Sequence, residues 1–149
     1  MAIPPLLDDS VTRIAARVEA SQMFSWLGIV ATPADDHLLY RLSFTEDHIG
    51  NPVLRALHGG VISSFLEACA QLDIIARVEK DVQVQPVSIH TSYFTSSRPQ
   101  DMLAKVTIRR LGRRLAFLEC DGWQRDQATP VARAAIGLRI IRPSSADAP

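Results

Sequence analysis

The sequence has few cysteines and no excess of charge of either sign. Its two cysteines, Cys69 and Cys120, are too few for a disulfide scaffold and lack the spacing of metal ligands. Because they fall in a predicted helix and a predicted strand, we expect two buried, reduced thiols. Sixteen basic residues balance sixteen acidic ones, so nothing in the overall charge indicates a nucleic acid or an anionic membrane as a partner.

Long hydrophobic runs are also missing, because no run approaches the roughly 20 residues that cross a bilayer. The opening MAIPPLLDDS lacks the basic and apolar regions of a signal peptide. We therefore expect a cytoplasmic protein with no membrane contact. The 149 residues predict a single domain over 1–149, and an apolar fraction of 47% is enough for one hydrophobic core.

The first third of the chain predicts one helix and two strands. Residues 8–24 begin with capping residues at 8–10 and continue as an amphipathic surface helix. Its apolar positions have helical spacing: Val11, Ile14, Ala15 and Val18. Residues 23–48 predict two strands, separated by a turn at the Pro33, Asp35 and Asp36 positions.

The middle of the chain predicts a long core helix. From about residue 60 to residue 78 the chain is apolar on nearly every side, which is typical of a helix that other elements surround. Four long alternating segments follow it. In the first, the positions predicted to share a face are Val87, Ile89, Thr91, Tyr93 and Thr95. Without crossover helices these strands must pair mostly antiparallel, so we expect an α+β fold with a sheet wrapped around one helix.

The LHGG stretch at 57–60, followed by Glu67 nine positions after His58, resembles the hotdog-fold acyl-CoA thioesterases of the phenylacetate-degradation (PaaI-like) type. The resemblance covers about residues 24–142. It implies hydrolysis of an acyl-CoA thioester to free acid and CoA, by a homodimer or a tetramer of hotdog dimers. It implies no metal and no cofactor, since CoA is part of the substrate. The chain departs from its relatives in having Glu where they usually have Asp, and Arg55 near a Gly position.

The chemistry of this stretch agrees with thioester hydrolysis. Gly59 and Gly60 leave backbone N–H groups open at a helix start, where they can bind the developing oxyanion. Apolar surroundings should raise the pKa of Glu67, which suits a general base or a carboxylate nucleophile. At about 100° per residue, His58 and Glu67 lie on different faces of the helix. We therefore expect a site between two chains, with Glu67 facing the loop of a partner.

These considerations predict two groups of site residues. The predicted catalytic residues are Glu67, Gly59, Gly60 and His58, to which the resemblance adds Asn51, because relatives often have an Asn shortly before the His. His58 either polarises the carbonyl or only orients the loop. Guanidinium groups bind phosphates well, and the resembled family has a strand hydroxyl near the site. The predicted substrate- and CoA-binding residues are accordingly Arg98, Arg113, Arg114 and Ser88.

Two other functions remain open at this point. The stretch also resembles hotdog hydroxyacyl-thioester dehydratases, in which an early His pairs with a Glu on the central helix; here His48 and Glu67 would be that pair. Alternatively, the chain binds acyl-CoA without catalysis. For His48 we otherwise expect a surface or strand position, and for Asp73 a solvated or paired one.

Overall fold

The computed structural model describes residues 2–144 of the chain. Its helices are α1 (Ser10–Glu19), α2 (Gln22–Leu27) and α3 (Gly59–Ile75). Its strands are β1 (Ile29–Ala34), β2 (His37–Leu42), β3 (Ile49–Asn51), β4 (Ala56–Leu57), β5 (Gln83–Tyr93), β6 (Met102–Leu111), β7 (Leu115–Trp123) and β8 (Ala132–Ile141). A short 3₁₀ helix, Glu46–His48, precedes β3.

Six strands form one antiparallel sheet in the order β1-β2-β6-β7-β8-β5. β3 and β4 form a separate small hairpin that leads directly into α3. The long strands follow one another without crossover helices, as the sequence predicted. β5 lies at the end of the sheet, so only one of its edges pairs with another described strand.

The sheet wraps around α3, which is buried along almost its whole length. The alternation of β8 places one side of the strand against the helix. The buried side chains on that face are Ala132, Ala134, Ile136, Leu138 and Ile140. A helix that is apolar all round must be covered on every side, and the curled sheet supplies most of that cover. The α+β hotdog architecture predicted from the sequence is confirmed.

Several local predictions need correction. A short helix, α2, precedes the first of the two predicted strands. The hydroxyl of Ser21 accepts a hydrogen bond from its first turn, and Gly28 ends it with a φ of 61°. Six residues are too few to display helical periodicity, although Ser at the start and Gly at the end are the usual signals. The turn between β1 and β2 lies at Asp35 and Asp36, while Pro33 belongs to β1.

The ends of the helices also differ from expectation. α3 ends at Ile75, and residues 76–78 form a turn. Asp9 is the N-cap of α1 but its side chain makes no capping hydrogen bond. Of the predicted apolar stripe only Ile14 is fully buried, and Val18 is partly buried. Helical spacing therefore predicted α1, but α1 ends at Glu19 rather than near residue 24, and its buried face is narrower than expected.

Three buried thiol or carboxyl side chains lie in α3 and in the sheet around it. Cys69 and Cys120 are free and buried, as expected from the sequence. Of the two positions expected for Asp73, the paired one is found: Asp73 is buried and accepts hydrogen bonds from the Tyr40 hydroxyl (2.9 Å) and the Arg77 guanidinium (3.0 Å). Arg77 also donates to the Pro4 carbonyl at 2.7 Å, so this cluster attaches the N-terminal segment to the end of α3.

Candidate active site

The β3–β4 hairpin holds the start of α3 in place. The backbone N–H of His58 donates to the carbonyl of His48 at 2.9 Å. Gly50 packs so closely that a Cβ atom there would lie 2.6 Å from the Cα of His58. Only glycine allows this approach of two backbone segments. Gly50 therefore belongs to the support of the candidate site.

The first turn of α3 uses most of its own N–H groups. His58 is the N-cap, and its Nδ1 accepts a hydrogen bond from the Gly60 N–H at 2.9 Å. The Val61 and Ile62 N–H groups both donate to the His58 carbonyl. Within residues 2–144, no group accepts a hydrogen bond from the Gly59 N–H. Of the two glycine donors expected from the sequence, Gly59 is thus the one left open, and His58 orients the turn.

Tyr93 supports the same turn from β5. Its hydroxyl donates a 2.6 Å hydrogen bond to the Gly59 carbonyl, and a Cβ at Gly59 would lie 3.3 Å from that hydroxyl. This bond fixes the peptide plane next to the open Gly59 N–H. The sequence offered no specific signal for this contact, because 34 residues separate the two partners.

Glu67 is half-buried near the middle of α3. Burial raises the pKa of its carboxyl, and a hydrogen bond from the Gln71 amide (3.3 Å) acts in the opposite direction. A raised pKa brings a carboxyl closer to the working range of a general base. The expected shift of Glu67 is therefore present, and desolvation is its main cause.

One side of α3 faces β5. Gly59 contacts Tyr93, and one turn later the Ser63 hydroxyl lies 2.7 Å from the Thr91 hydroxyl. Glu67 follows after one further turn on the same side. Along the axis, however, Gly59 and Glu67 of one chain are separated by about 12 Å, at 1.5 Å per residue. The distance along the helix, more than the angle around it, keeps them from acting on one carbonyl.

Comparison with known proteins agrees with this geometry. A family model described as the acyl-CoA thioesterase N-terminal domain matches residues 50–138, which include most of the loop, α3, the sheet strands β5, β6 and β7, and most of β8. The chain belongs to this acyl-CoA thioesterase family. As a member it is a thioester hydrolase. A search of curated proteins found no significant match.

Solved structures of similar fold support the architecture of this acyl-CoA thioesterase. A mutant thioesterase from Pseudomonas aeruginosa is 17% identical with a TM-score of 0.78, covering 94% of this chain and 99% of that one. A thioesterase from Haemophilus influenzae is 19% identical with a TM-score of 0.74, covering 84% and 86%. A phenylacetic acid degradation-related protein from Ralstonia eutropha is 16% identical with a TM-score of 0.73, covering 85% and 98%.

Asn51 shapes the loop before the motif. Its side-chain oxygen accepts hydrogen bonds of 3.0 Å from the Val53 and Leu54 N–H groups. Arg55 follows with a φ of 56° and pairs with Glu46 at 2.7 Å. A left-handed conformation favours glycine, which explains why thioesterases of the resembled type have Gly near this position. Asn51 is thus close to the motif, with its carbonyl oxygen already bonded.

His48 occupies a position that the sequence did not predict. It is buried, and both ring nitrogens are engaged: Nδ1 accepts from the Thr45 N–H at 3.2 Å, and Nε2 donates to the Trp26 carbonyl at 2.9 Å. Its ring also packs edge-on against Trp26. The expected surface or strand position is therefore wrong. A ring committed in this way has no free nitrogen for the proton transfer that the dehydratase alternative requires.

The predicted CoA-binding residues lie in three separate places. Arg98 lines a cavity of about 540 Å³ near the start of α3, together with Leu54 and Gln124. Arg113 and Arg114 lie at the other end, in the β6–β7 hairpin, close to the turn after α3. Ser88 pairs with Gly137, and both line a cavity with the exposed Phe117, on the face of the sheet away from α3. Within one chain these residues do not converge.

No helix within residues 2–144 is long and apolar enough to cross a membrane. The same residues contain no group of three or more His, Cys, Asp or Glu side chains arranged to hold a metal ion.

Proposed function

We propose that the protein hydrolyses an acyl-CoA thioester to free acid and CoA, with Glu67 as its catalytic carboxylate. The observation that carries this proposal is a half-buried carboxyl of raised pKa on α3, one helical turn after Ser63, which contacts Thr91 of β5. The His58-Gly59-Gly60 loop of a second subunit completes the site. Because Glu67 is about 12 Å from its own Gly59, a partner is needed to bring both to within about 3 Å of one carbonyl.

The Gly59 N–H is the proposed oxyanion donor. As attack proceeds, negative charge develops on the carbonyl oxygen, and a fixed N–H at a helix start stabilises that charge. The His58 ring contributes indirectly, because it holds the Gly60 N–H and thereby the geometry of the turn. Asn51 acts in the same indirect way through the loop that precedes the motif.

Two roles of Glu67 are compatible with this arrangement. As a general base it takes a proton from water while the water oxygen attacks the carbonyl carbon. The C–S bond then breaks, and the proton passes to the departing thiolate. As a nucleophile its oxygen attacks directly, the thiolate leaves with its electron pair, and water hydrolyses the resulting anhydride. Both routes need the carboxylate in its charged form.

The edge of β5 is the proposed contact between subunits. β5 has eleven residues and one edge without a strand partner among the described residues. Val87, Ile89 and Tyr93 on this strand are exposed. A long edge strand with exposed apolar side chains readily pairs with another chain, so two copies are expected to join their sheets here. Such dimers can associate further into tetramers.

Substrate contacts by Arg98, Arg113, Arg114 and Ser88 remain predictions. Arg98 is near the loop that would meet the partner's Glu67. Arg113 and Arg114 are near the far end of α3. A substrate that crosses the subunit boundary can reach Arg98 at the start of α3 or Arg113 and Arg114 at its end.

Complementation between two inactive subunits tests the shared site. Glu67→Gln chains and Gly59→Val chains are co-expressed with different tags, and the mixed dimers are purified. A mixed dimer retains one complete site if Glu67 and Gly59 come from different chains. We expect each pure variant to be inactive and the mixed dimer to recover about half of the activity with acyl-CoA, since one of two sites is intact. No recovery, with both variants folded and dimeric, contradicts the shared site.

A further inference from the structure

We propose that the groove between α1 and β5 binds the phosphate groups of coenzyme A. This inference rests on the proposed function, because it concerns the part of the substrate remote from the thioester. The groove has a volume of about 630 Å³. The lining residues that matter here are Arg13, Arg17, Ile75, Lys80, Val82 and Val84. None of them was predicted as a site residue from the sequence.

The groove continues the side of α3 that carries Glu67. Gln71 and Ile75 follow Glu67 at intervals of one helical turn, so all three are on the same side of the helix. Ile75 forms part of the groove, together with the first residues of β5. From Glu67 to Ile75 the distance along the helix is about 12 Å. The pantetheine arm, which separates the thioester from the phosphates in CoA, is long enough to span it.

The groove has an apolar floor and a cationic rim, which suit the uncharged pantetheine arm and the phosphates at its end. Ile75, Val82 and Val84 form an apolar floor, and Val84 pairs with the buried Ile140 on the helix side of the sheet. Three cationic side chains, Arg13, Arg17 and Lys80, lie at its rim, and no acidic residue is among those that line it. Clustered cations without a carboxylate between them attract anions such as phosphates.

The rim cations remain available to a ligand. Arg13 uses one nitrogen to donate to the Val78 carbonyl at 2.7 Å, which holds its side chain over the groove and leaves its other N–H groups. Arg17 packs over the Phe24 ring at 5.1 Å, which orients its guanidinium without neutralising it. Lys80 forms no ion pair with any residue in the described part of the chain, and the neighbouring Glu79 lies 3.8 Å from Arg142 instead.

A second group of arginines, at the β6–β7 hairpin and the end of β8, is the alternative anion site in this half of the molecule. Arg113 and Arg114 line a cavity of about 470 Å³ with Arg139 and Arg142. That cavity adjoins the end of β8 and includes no residue of α3. The α1–β5 groove, in contrast, shares Ile75 with the helix of Glu67. This continuity favours the α1–β5 groove as the phosphate site, and the kinetic experiment compares the two sites.

Steady-state kinetics with two substrates test the proposal. The wild type, the Arg17→Gln/Lys80→Gln variant and an Arg113→Gln/Arg114→Gln variant are assayed with one acyl-CoA and with the same acyl group on N-acetylcysteamine, which lacks the phosphates. For Arg17→Gln/Lys80→Gln we expect the ratio of kcat/KM for acyl-CoA to kcat/KM for the truncated thioester to fall about tenfold, since two charge-assisted contacts are lost. Arg110→Gln, an exposed arginine outside both cavities, is the matched control.

Three outcomes would overturn the inference. The ratio could stay unchanged in Arg17→Gln/Lys80→Gln, or it could fall only in Arg113→Gln/Arg114→Gln. Alternatively, Arg17→Gln/Lys80→Gln could change the oligomeric mass measured by light scattering, which would assign the groove to contact with a second copy of the chain. Calorimetric binding of adenosine 3′,5′-bisphosphate separates this proposal from the proposed function. If no thioester is hydrolysed but the bisphosphate binds in a Lys80-dependent way, only the proposed function fails.

Discussion

The side-chain amide of Gln71 donates a 3.3 Å hydrogen bond to the carboxylate of Glu67, one turn earlier on α3. Gln71 is buried and Glu67 half-buried. Burial raises the pKa of the Glu67 carboxyl, while the bond from Gln71 stabilises the charged form and lowers that pKa. Two residues on one helix face therefore determine the charge state of the candidate catalytic group.

Replacing Gln71 by Leu should shift the pH dependence of activity. Without the donor, the pKa of Glu67 rises further, because desolvation is no longer opposed. The proposed mechanism requires the Glu67 carboxylate, so the acidic limb of the kcat profile is expected to move to higher pH. Measuring kcat against pH for wild type and variant checks this shift. An acidic limb that stays in place would show that Gln71 does not contact Glu67 during turnover.

Replacing Glu67 by Gln should abolish most of the activity. Losing a general base typically lowers kcat by about 10²–10⁴-fold, and the amide is nearly isosteric, so folding should be retained. Thiol release from a panel of acyl-CoA substrates measures the effect. Glu119→Gln is the control, since Glu119 pairs with Arg109 on the sheet and has no proposed role. Equal activity in Glu67→Gln and wild type would remove Glu67 from the mechanism.

The same Glu67→Gln variant should also alter stability in a pH-dependent way. The folded-state pKa of Glu67 is raised above its ordinary value, so between the unfolded and folded pKa values the folded protein binds more protons than the unfolded chain. Stability from this group therefore falls as pH rises through that window. We expect the Tm of Glu67→Gln to increase relative to wild type with rising pH. A constant Tm difference across the pH range would contradict a raised pKa.

The buried cluster of Tyr40, Asp73 and Arg77 should be important for folding. Desolvation raises the pKa of Asp73, and Arg77 acts against that rise by stabilising the carboxylate. Arg77→Met leaves a buried carboxylate unpaired and should cost about 3–5 kcal/mol. Tyr40→Phe removes one hydrogen bond and should cost about 1–3 kcal/mol.

Urea unfolding curves measure both changes in the free energy of unfolding. Arg109→Met is the matched control, because its ion pair with Glu119 is exposed and should contribute less than about 1 kcal/mol. If Arg77→Met proved as stable as Arg109→Met, Asp73 would have to be neutral in the folded protein.

Gly50→Ala should reduce activity more than its effect on folding would explain. A methyl group there would lie 2.6 Å from the Cα of His58, which is backbone and cannot rotate away. The start of α3 must shift, and a displacement of about 1 Å in a site can lower the rate about 100-fold. The assay compares kcat/KM and Tm with Gly122→Ala, whose methyl would meet the flexible core side chains of Leu66 at 3.0 Å and Met102 at 3.1 Å. Matching losses in both variants would remove Gly50 from the support of the site.

Much of the candidate site could be proposed from the sequence because its signals are local. His58, Gly59 and Gly60 are consecutive, and Glu67 follows on the same helix. The contacts of Tyr93 with Gly59 and of Thr91 with Ser63 could not be predicted, since they join β5 to α3 across 34 and 28 residues. The engagement of the Gly60 N–H by His58 also depends on a side-chain rotamer, which no spacing encodes.

The core helix and the long strands around it could be predicted from the order of residues alone. A helix that is buried on every side requires apolar residues at nearly every position. A strand that is buried on one side requires alternation of apolar and polar residues. Both patterns can therefore be recognised in the sequence. The burial of His48 with both ring nitrogens bonded, and the position of the predicted arginines at opposite ends of α3, depend on tertiary packing. Those outcomes depend on how the loops pack against α2 and α3, through contacts between residues distant in the chain.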